Sequence, residues 1–457
     1  MAEIERCSKP LAINPLKAGA PLGASLATLG FHRAMPVLHG SQGCTAFGKV
    51  YLVRHFNEPM PLQTTAMDPV STVMGADANA HEALETVCSK SAPALVTLLT
   101  TGLSEAQGTD IHRLVREFRE AHPEHAGTAV VAVNTPDFAG GLESGYAAAL
   151  RAIVDALVPA AASAGSAPGR DPARVNVLLS AAHGPGDAEA IAELVEAFGL
   201  EPVLIPDLST ALDGHLADAD HSPVTTGGRP VAELAGCGDA AATLVVGASL
   251  NAAADRLAER TGVPDYRFDH LVGLAATDRL VMALREISGR DAVPARVERH
   301  RRQLQDALLD AHTVLGAARV AVAAEADRLA GLAALLGGVG AEVAAAVAPE
   351  RAPVLERLPL PRVVIGDLEA LEGYGRAAGA ELVLGSSHAA ATAERLGVPL
   401  VEHGYPSWER LGRHLQPRVG YRGSRDALFE LANTLLEHHE RHGGLTPYRS
   451  VYRPTAA

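Results

Sequence analysis

Short apolar runs alternate with helix-period segments along almost the whole chain, and this alternation restricts the fold more than any single motif. A parallel strand reaches its neighbour only through a crossover of a dozen or more residues, usually a helix, so repeated strand–helix–strand patterning implies parallel sheets flanked by helices. The fold class is α/β. In the first third, residues 21–31 read as a helix with Leu22, Leu26 and Leu29 on one face and Gly30 as its stop. Residues 94–99 and 129–133 read as buried strands joined by a helix over 111–121. Residues 158–174, rich in Ala, Ser, Gly and Pro, read as a linker. A second unit follows, with strands at 175–179, 202–205 and 243–246 and a helix over 187–198. A polar-faced helix over 295–313 leads to a third unit, with strands at 319–323, 361–365 and 381–384, and a last helix over 426–439 packs back on an earlier unit. At 457 residues the chain is expected to divide into three Rossmann-like domains, 1–165, 166–294 and 295–457.

The formal charge of −14 is spread without a basic block, which argues against nucleic acid and against a polybasic membrane anchor. The first residues, Met1 to Arg6, carry no apolar signal stretch, so a cytoplasmic location is expected. The longest apolar stretch, Leu329 to Pro349, is broken by Glu342 and four glycines and fits a helix, a turn and a strand better than a membrane span.

One segment stands out chemically. His39-Gly40-Ser41-Gln42-Gly43-Cys44 follows an apolar turn of chain and presents a cysteine in a glycine-framed loop. Without a Cβ, Gly40 and Gly43 let the backbone approach a bulky inorganic group, and Ser41 lies between them. Cys44 stands at the start of the helical pattern Ala46, Phe47, Val50, Tyr51, where amide N–H groups and the helix dipole favour thiolate, the form that binds iron. The same pattern suits a buried free cysteine after a turn, and spacing alone leaves both readings open.

The four cysteines, Cys7, Cys44, Cys88 and Cys237, form no CxxC pair, so neither a zinc ribbon nor a ferredoxin-type cluster is built locally. Cys88, on the pattern Leu84, Val87, Cys88, and Cys237, between two glycines, read as packing residues; the role of Cys7 is open. A four-iron cluster takes about four protein ligands. If Cys44 is one, the rest come from another chain, and the deficit predicts a hetero-oligomer.

Glycine-rich turns at Gly184-Pro185-Gly186-Asp187 and Gly337-Gly338-Val339-Gly340 complete no dinucleotide fingerprint, and no phosphate-loop motif occurs. This counts against a nucleotide- or sugar-dependent transferase. Gly385-Ser386-Ser387-His388 reads as a helix cap. Metal-spaced carboxylates, HExxH and GxSxG are absent, and with them any hydrolase reading; no catalytic residue is assigned.

Several longer motifs carry a resemblance. Ile13-Asn14-Pro15-Leu16-Lys17, Pro21-Leu22-Gly23-Ala24, the His39–Cys44 loop and Arg54-His55-Phe56-Asn57-Glu58-Pro59 resemble the nitrogenase β-subunit superfamily. Thr100 to Asp110, Pro206-Asp207-Leu208-Ser209, Gln305 to His312 and Gly420 to Asp426 are similar to its cofactor-assembly branch, so the likeness covers essentially the whole chain. A nitrogenase β-subunit offers three cysteines to an interfacial cluster; here the first position falls at Gly19 and the last near Gly102, and only Cys44 remains. The resemblance implies a scaffold for the iron–molybdenum cofactor. In it, Cys44 and three cysteines of a NifE-like α-type partner share an interfacial [4Fe-4S] cluster, within an α2β2 heterotetramer. The iron–molybdenum cofactor precursor is held mainly by the partner while molybdenum and homocitrate are inserted, and an ATP-dependent iron protein reductase docks transiently. His39, Ser41 and His55 are implied as candidates for supporting the cluster, with plain loop and helix hydrogen bonding equally open. The alternative is the β-subunit of a nitrogenase-like ATP-dependent reductase.

Overall fold

The computed structural model describes residues 2–9, 11–160, 171–216 and 222–442. Three sheets organise it, and every strand pair in them is parallel. A first strand, β1 (Glu3–Arg6), is followed by α1 (Ala20–Leu29), β2 (Ala34–His39), α2 (Gln42–Phe56), β3 (Gln63–Thr64), α3 (Pro69–Met74), α4 (Asp77–Ser91), β4 (Leu95–Thr100), α5 (Gly102–Gln107), α6 (Ile111–Ala121), β5 (Ala129–Val133) and α7 (Leu142–Leu157). The first sheet has the order β3-β2-β4-β5. The second is built from β6 (Asp171–Leu179), α8 (Pro185–Glu196), β7 (Glu201–Ile205), β8 (Ala240–Val246), α9 (Asn251–Thr261), β9 (Asp265–Phe268) and α10 (Leu274–Ser288), in the order β7-β6-β8-β9.

The long α11 (Ala295–Leu315) leads to β10 (Arg319–Ala323), α12 (Ala326–Val339), β11 (Glu342–Ala348), α13 (Pro353–Glu356), β12 (Arg362–Ile365), α14 (Leu368–Ala378), β13 (Leu382–Gly385), α15 (Ala390–Leu396), β14 (Leu400–Glu402) and α16 (Gly420–His442). This third sheet runs β1-β12-β11-β10-β13-β14. The chain's first strand thus lies at the edge of its last sheet, with Glu3 opposite Arg362 and Arg6 opposite Ile365.

The expected helix over 111–121 is α6, with Ile111, Leu114, Val115 and Phe118 buried on one face and the Asp110 side chain accepting the Arg113 N–H at its start. Two departures have clear causes. The apolar turn expected before His39 is the fully buried strand β2. It tolerates Pro36 because β3 spans two residues and pairs only with Val37 and Leu38. The expected linker over 158–174 lies partly outside the described residues, and β6 already begins at Asp171, pairing there with Ala240.

The sheets are not independent bodies. One apolar core joins the first and second, through Leu29, Tyr146, Leu150, Ile205 and Leu257. Another joins the second and third, through Val177, Leu284, Leu304, Val320 and Leu431. The terminal helix α16 packs mainly on α11, and Tyr421 Oη donates to Asp278 of α10 at 2.6 Å. Helices α1 and α7 cross so closely that a Cβ on Gly23 would lie 1.8 Å from Leu142 O, and one on Gly145 2.0 Å from Ala20 O. Glycine is therefore obligatory at that crossing, which sets α1 beside the loop before α7. Among the described residues no helix is long and apolar enough to cross a membrane.

Candidate functional site

In an open parallel sheet the ligand crevice lies beyond the carboxyl ends of the strands where the strand order reverses. In the first sheet that point is between β2 and β4. The chain leaves β2 through Gly40 into α2 and leaves β4 through Thr101 into α5. Thr101 caps α5 and its hydroxyl donates to His39 O at 2.9 Å, tying the two strand ends together. A Cβ on Gly40 would lie 2.6 Å from Thr101 Oγ1, so this glycine serves the packing of the two strand exits.

Cys44 is the third residue of α2, after the capping position Ser41, and its thiol is exposed. The buried-cysteine reading fails here. Ser41 Oγ lies 3.4 Å from Cys44 Sγ, and a Cβ on Gly43 would find only Ser41 Oγ, at 3.9 Å. The thiol and Gly43 border an open concavity of about 480 Å³, walled by Leu16, Pro21, Leu22, Phe47 and Leu62. The other cysteines do not join it. Cys88 and Cys237 are buried in separate apolar cores, where burial pushes both thiols up, Cys237 to about 11. Cys7 follows β1, on the third sheet.

Gly19 and Gly102 meet at one side chain that the sequence did not single out. The Asp137 carboxylate accepts the Gly102 N–H at 3.1 Å, and a Cβ on Gly19 would lie 2.5 Å from its Oδ1. Lys17 Nζ donates to the Asp137 carbonyl at 3.1 Å, and Gly19 and Asp137 both line the Cys44 concavity. A carboxylate fills the space between the two positions where the resemblance places cysteines in a catalytic subunit. The signal for it was the glycine at 19, which only the folded chain explains.

Helix α2 carries two apolar stripes. Thr45, Gly48, Leu52, His55 and Phe56 face the core, whereas Phe47, Val50 and Val53 face outward, with Phe47 nearest Cys44. Phe47 is 74% exposed, and Val73, Met74 and Phe138 are similarly bare. Large apolar side chains left bare beside a concavity, as Phe47 is, suit an interaction face.

His39 and His55 belong elsewhere. His39 is wholly buried with Nδ1 2.9 Å from Thr65 Oγ1, and burial lowers its pKa to about 4. His55 is eleven residues along α2 from Cys44, about 16 Å at helical rise. Its Nδ1 accepts the Ser407 N–H at 2.9 Å, and its ring packs on Phe56 and Tyr405 with centroids 4.5 Å away. The Arg54 guanidinium sits 4.1 Å over the Trp408 ring, and Trp408 Nε1 donates to Tyr51 O. The Arg54–Glu58 motif is therefore a clamp between α2 and the loop after β14. Among the described residues His122, Glu124 and His125 also approach one another at metal-ligand range, at the surface beyond α6.

Residues 19–436 match the family of nitrogenase component 1 type oxidoreductases. The nitrogenase iron-molybdenum cofactor biosynthesis protein NifN of Klebsiella pneumoniae is 46% identical over 453 residues, covering 99% of this chain and 96% of that one. The protein of the same name from a Nostoc species is 42% identical, with 96% and 97% covered. Among solved structures, a nitrogenase Cp1 chain at pH 6.5 superposes with a TM-score of 0.89 at 29% identity, over 97% of this chain and 98% of that one.

Proposed function

We propose a function from one premise: the chain belongs to the nitrogenase component 1 type oxidoreductase family, and within it groups with the NifN proteins. It takes part in biosynthesis of the nitrogenase iron–molybdenum cofactor, and like its family it works with a partner subunit. In finer terms, it is the β-type half of a scaffold on which an iron–sulfur precursor held mainly by a NifE-like subunit receives molybdenum and homocitrate.

The observation that carries this reading is the single exposed thiol in an apolar concavity. Cys44 suits a cluster ligand: it is accessible, it stands in the first turn of a helix, and Gly43 leaves room beside it. It cannot complete a four-iron site alone, since such a cluster takes about four ligands. Three partner cysteines and Cys44 would hold a [4Fe-4S] cluster across the interface. A cluster bound there supplies one-electron transfer. The apolar stripe of Phe47, Val50 and Val53 docks the partner and excludes water, and Asp137 with Gly19 and Gly102 closes the place where a larger cluster would seek two more thiolates from this chain.

The test uses the complex purified anaerobically with its α-type partner. Given the iron protein, ATP, molybdate and homocitrate, it should activate a cofactor-deficient nitrogenase. A complex that fails to do so and instead reduces acetylene itself would overturn the assembly role in favour of a nitrogenase-like reductase.

A further inference from the structure

The strand ends of the second and third sheets meet in a second polar crevice, away from Cys44. Asp327, at the start of α12, accepts Ser249 Oγ at 2.6 Å from the second unit, and its own N–H donates to Glu143 of α7 at 2.9 Å. The next residue, Arg328, lines two small adjoining cavities of about 40 and 30 Å³. Space of about 10–15 Å³ by this measure holds one water, so the larger takes about three waters or one small oxyanion.

Its lining is incomplete in hydrogen bonds. His403 Nε2, Tyr405 Oη and His414 Nδ1 are buried without a partner, and all three residues line this one cavity. His403 is only 6% exposed. Buried polar groups are paired in the great majority of cases, so three orphans around one cavity mark a site for something that hydrogen-bonds to them. A tyrosine hydroxyl and neutral imidazoles can each donate.

The cavity is lined by charges of both signs, Arg328, Arg413 and Arg418 against Asp187 and Glu402. Arg413 and Arg418 share one carboxylate, Glu430, at 2.6 and 2.5 Å, which balances one of their two charges. Asp187 accepts the backbone N–H groups of Gly184 and Arg418, and Glu402 accepts the Ser387 hydroxyl. Arg328 makes no ion pair among the described residues; its guanidinium has one acceptor, Ala182 O. Glu325, on the same turn, does not cancel it, because burial beside other acids pushes its carboxyl up to about 8.

We propose that the crevice around Arg328, His403, Tyr405 and His414 binds one small inorganic oxyanion of the phosphate–sulfate type. Arg328 supplies the charge, and the tyrosine and histidines supply neutral donors. The site belongs to this chain alone and does not depend on the Cys44 cluster.

Phosphate and sulfate are titrated by calorimetry into the full chain in complex with its partner, and selenate is soaked into crystals so that its anomalous signal locates the anion. One equivalent should bind per chain, with selenate between Arg328 and Tyr405. Arg328→Gln should weaken binding about ten- to a hundredfold, the share of a charged hydrogen bond, and Tyr405→Phe about fivefold, the share of a neutral one. Tyr405→Phe keeps the ring and its packing, so it tests the site even if Arg328→Gln impairs folding. Absence of binding, a Tyr405→Phe complex that binds as tightly as wild type, or density showing only waters in the crevice would each overturn the proposal.

Discussion

The two ends of α2 lie about 16 Å apart and are built to opposite rules. At its start, Cys44 is exposed, its neighbours Phe47 and Val50 face outward, and the nearest side-chain partner is a serine hydroxyl. At its end, His55 is buried, accepts a backbone N–H from the third unit and touches three other aromatic rings. One end is left for a partner, and the other is completed within the chain. The difference teaches that proximity in a motif is no guide to shared purpose: His39, Cys44 and His55 stand close in sequence, yet only Cys44 borders the open concavity.

The comparison breaks if the two ends respond alike. The largest expected effect is on assembly. Phe47→Asp should leave the chain folded but weaken association with the partner about thirtyfold or more, the scale of an interface hot spot; sedimentation or gel filtration of the co-expressed pair reads this. His55→Ala should do the reverse, costing about 2–4 kcal/mol of stability through a cavity and an unpaired Ser407 N–H while leaving partner affinity unchanged. Denaturant unfolding checks it, and a stability loss below about 0.5 kcal/mol would deny the clamp.

Acid should loosen the His55 end first. Burial, with the neighbouring His414 and Arg328, lowers the His55 pKa to about 3 from its ordinary 6.5. The unfolded chain therefore binds this proton more readily. The stability that neutral His55 contributes is complete above about pH 6.5 and is lost as pH falls toward about 3, at up to about 1.4 kcal/mol per pH unit. His55→Gln should remove that one-proton slope from a stability–pH profile; an unchanged slope would contradict the assignment. The smallest effect belongs to Ser41→Ala. Its hydroxyl touches Cys44 and makes no side-chain cap bond, so unfolding stability should change by less than about 0.5 kcal/mol.

Much of the fold was legible because the periodicity is strong where the elements are long. Residues 111–121 and 319–323 match their helix and strand to the residue. What escaped did so for physical reasons. Strand β1 is polar, Glu-Ile-Glu-Arg, and gains its meaning only from β12 at the far end of the chain. Strand β2 contains a proline, which marks a break unless the short β3 is known beside it. At the site, a cysteine framed by glycines announces itself, but Asp137 does not. Its role exists only once Gly19 and Gly102 converge on it. His403, Tyr405 and His414 likewise sit in ordinary-looking loops that acquire a common cavity when strand ends from separate sheets meet.

Iron and acid-labile sulfide per αβ pair, in the anaerobically purified complex with and without Cys44→Ala, test the central claim most directly. Loss of about four iron atoms per pair, with partner binding intact and with Cys88→Ser as an unaffected control, is the predicted result. Wild-type iron in the Cys44→Ala complex would contradict the assignment of this exposed thiol as the chain's ligand to a shared cluster.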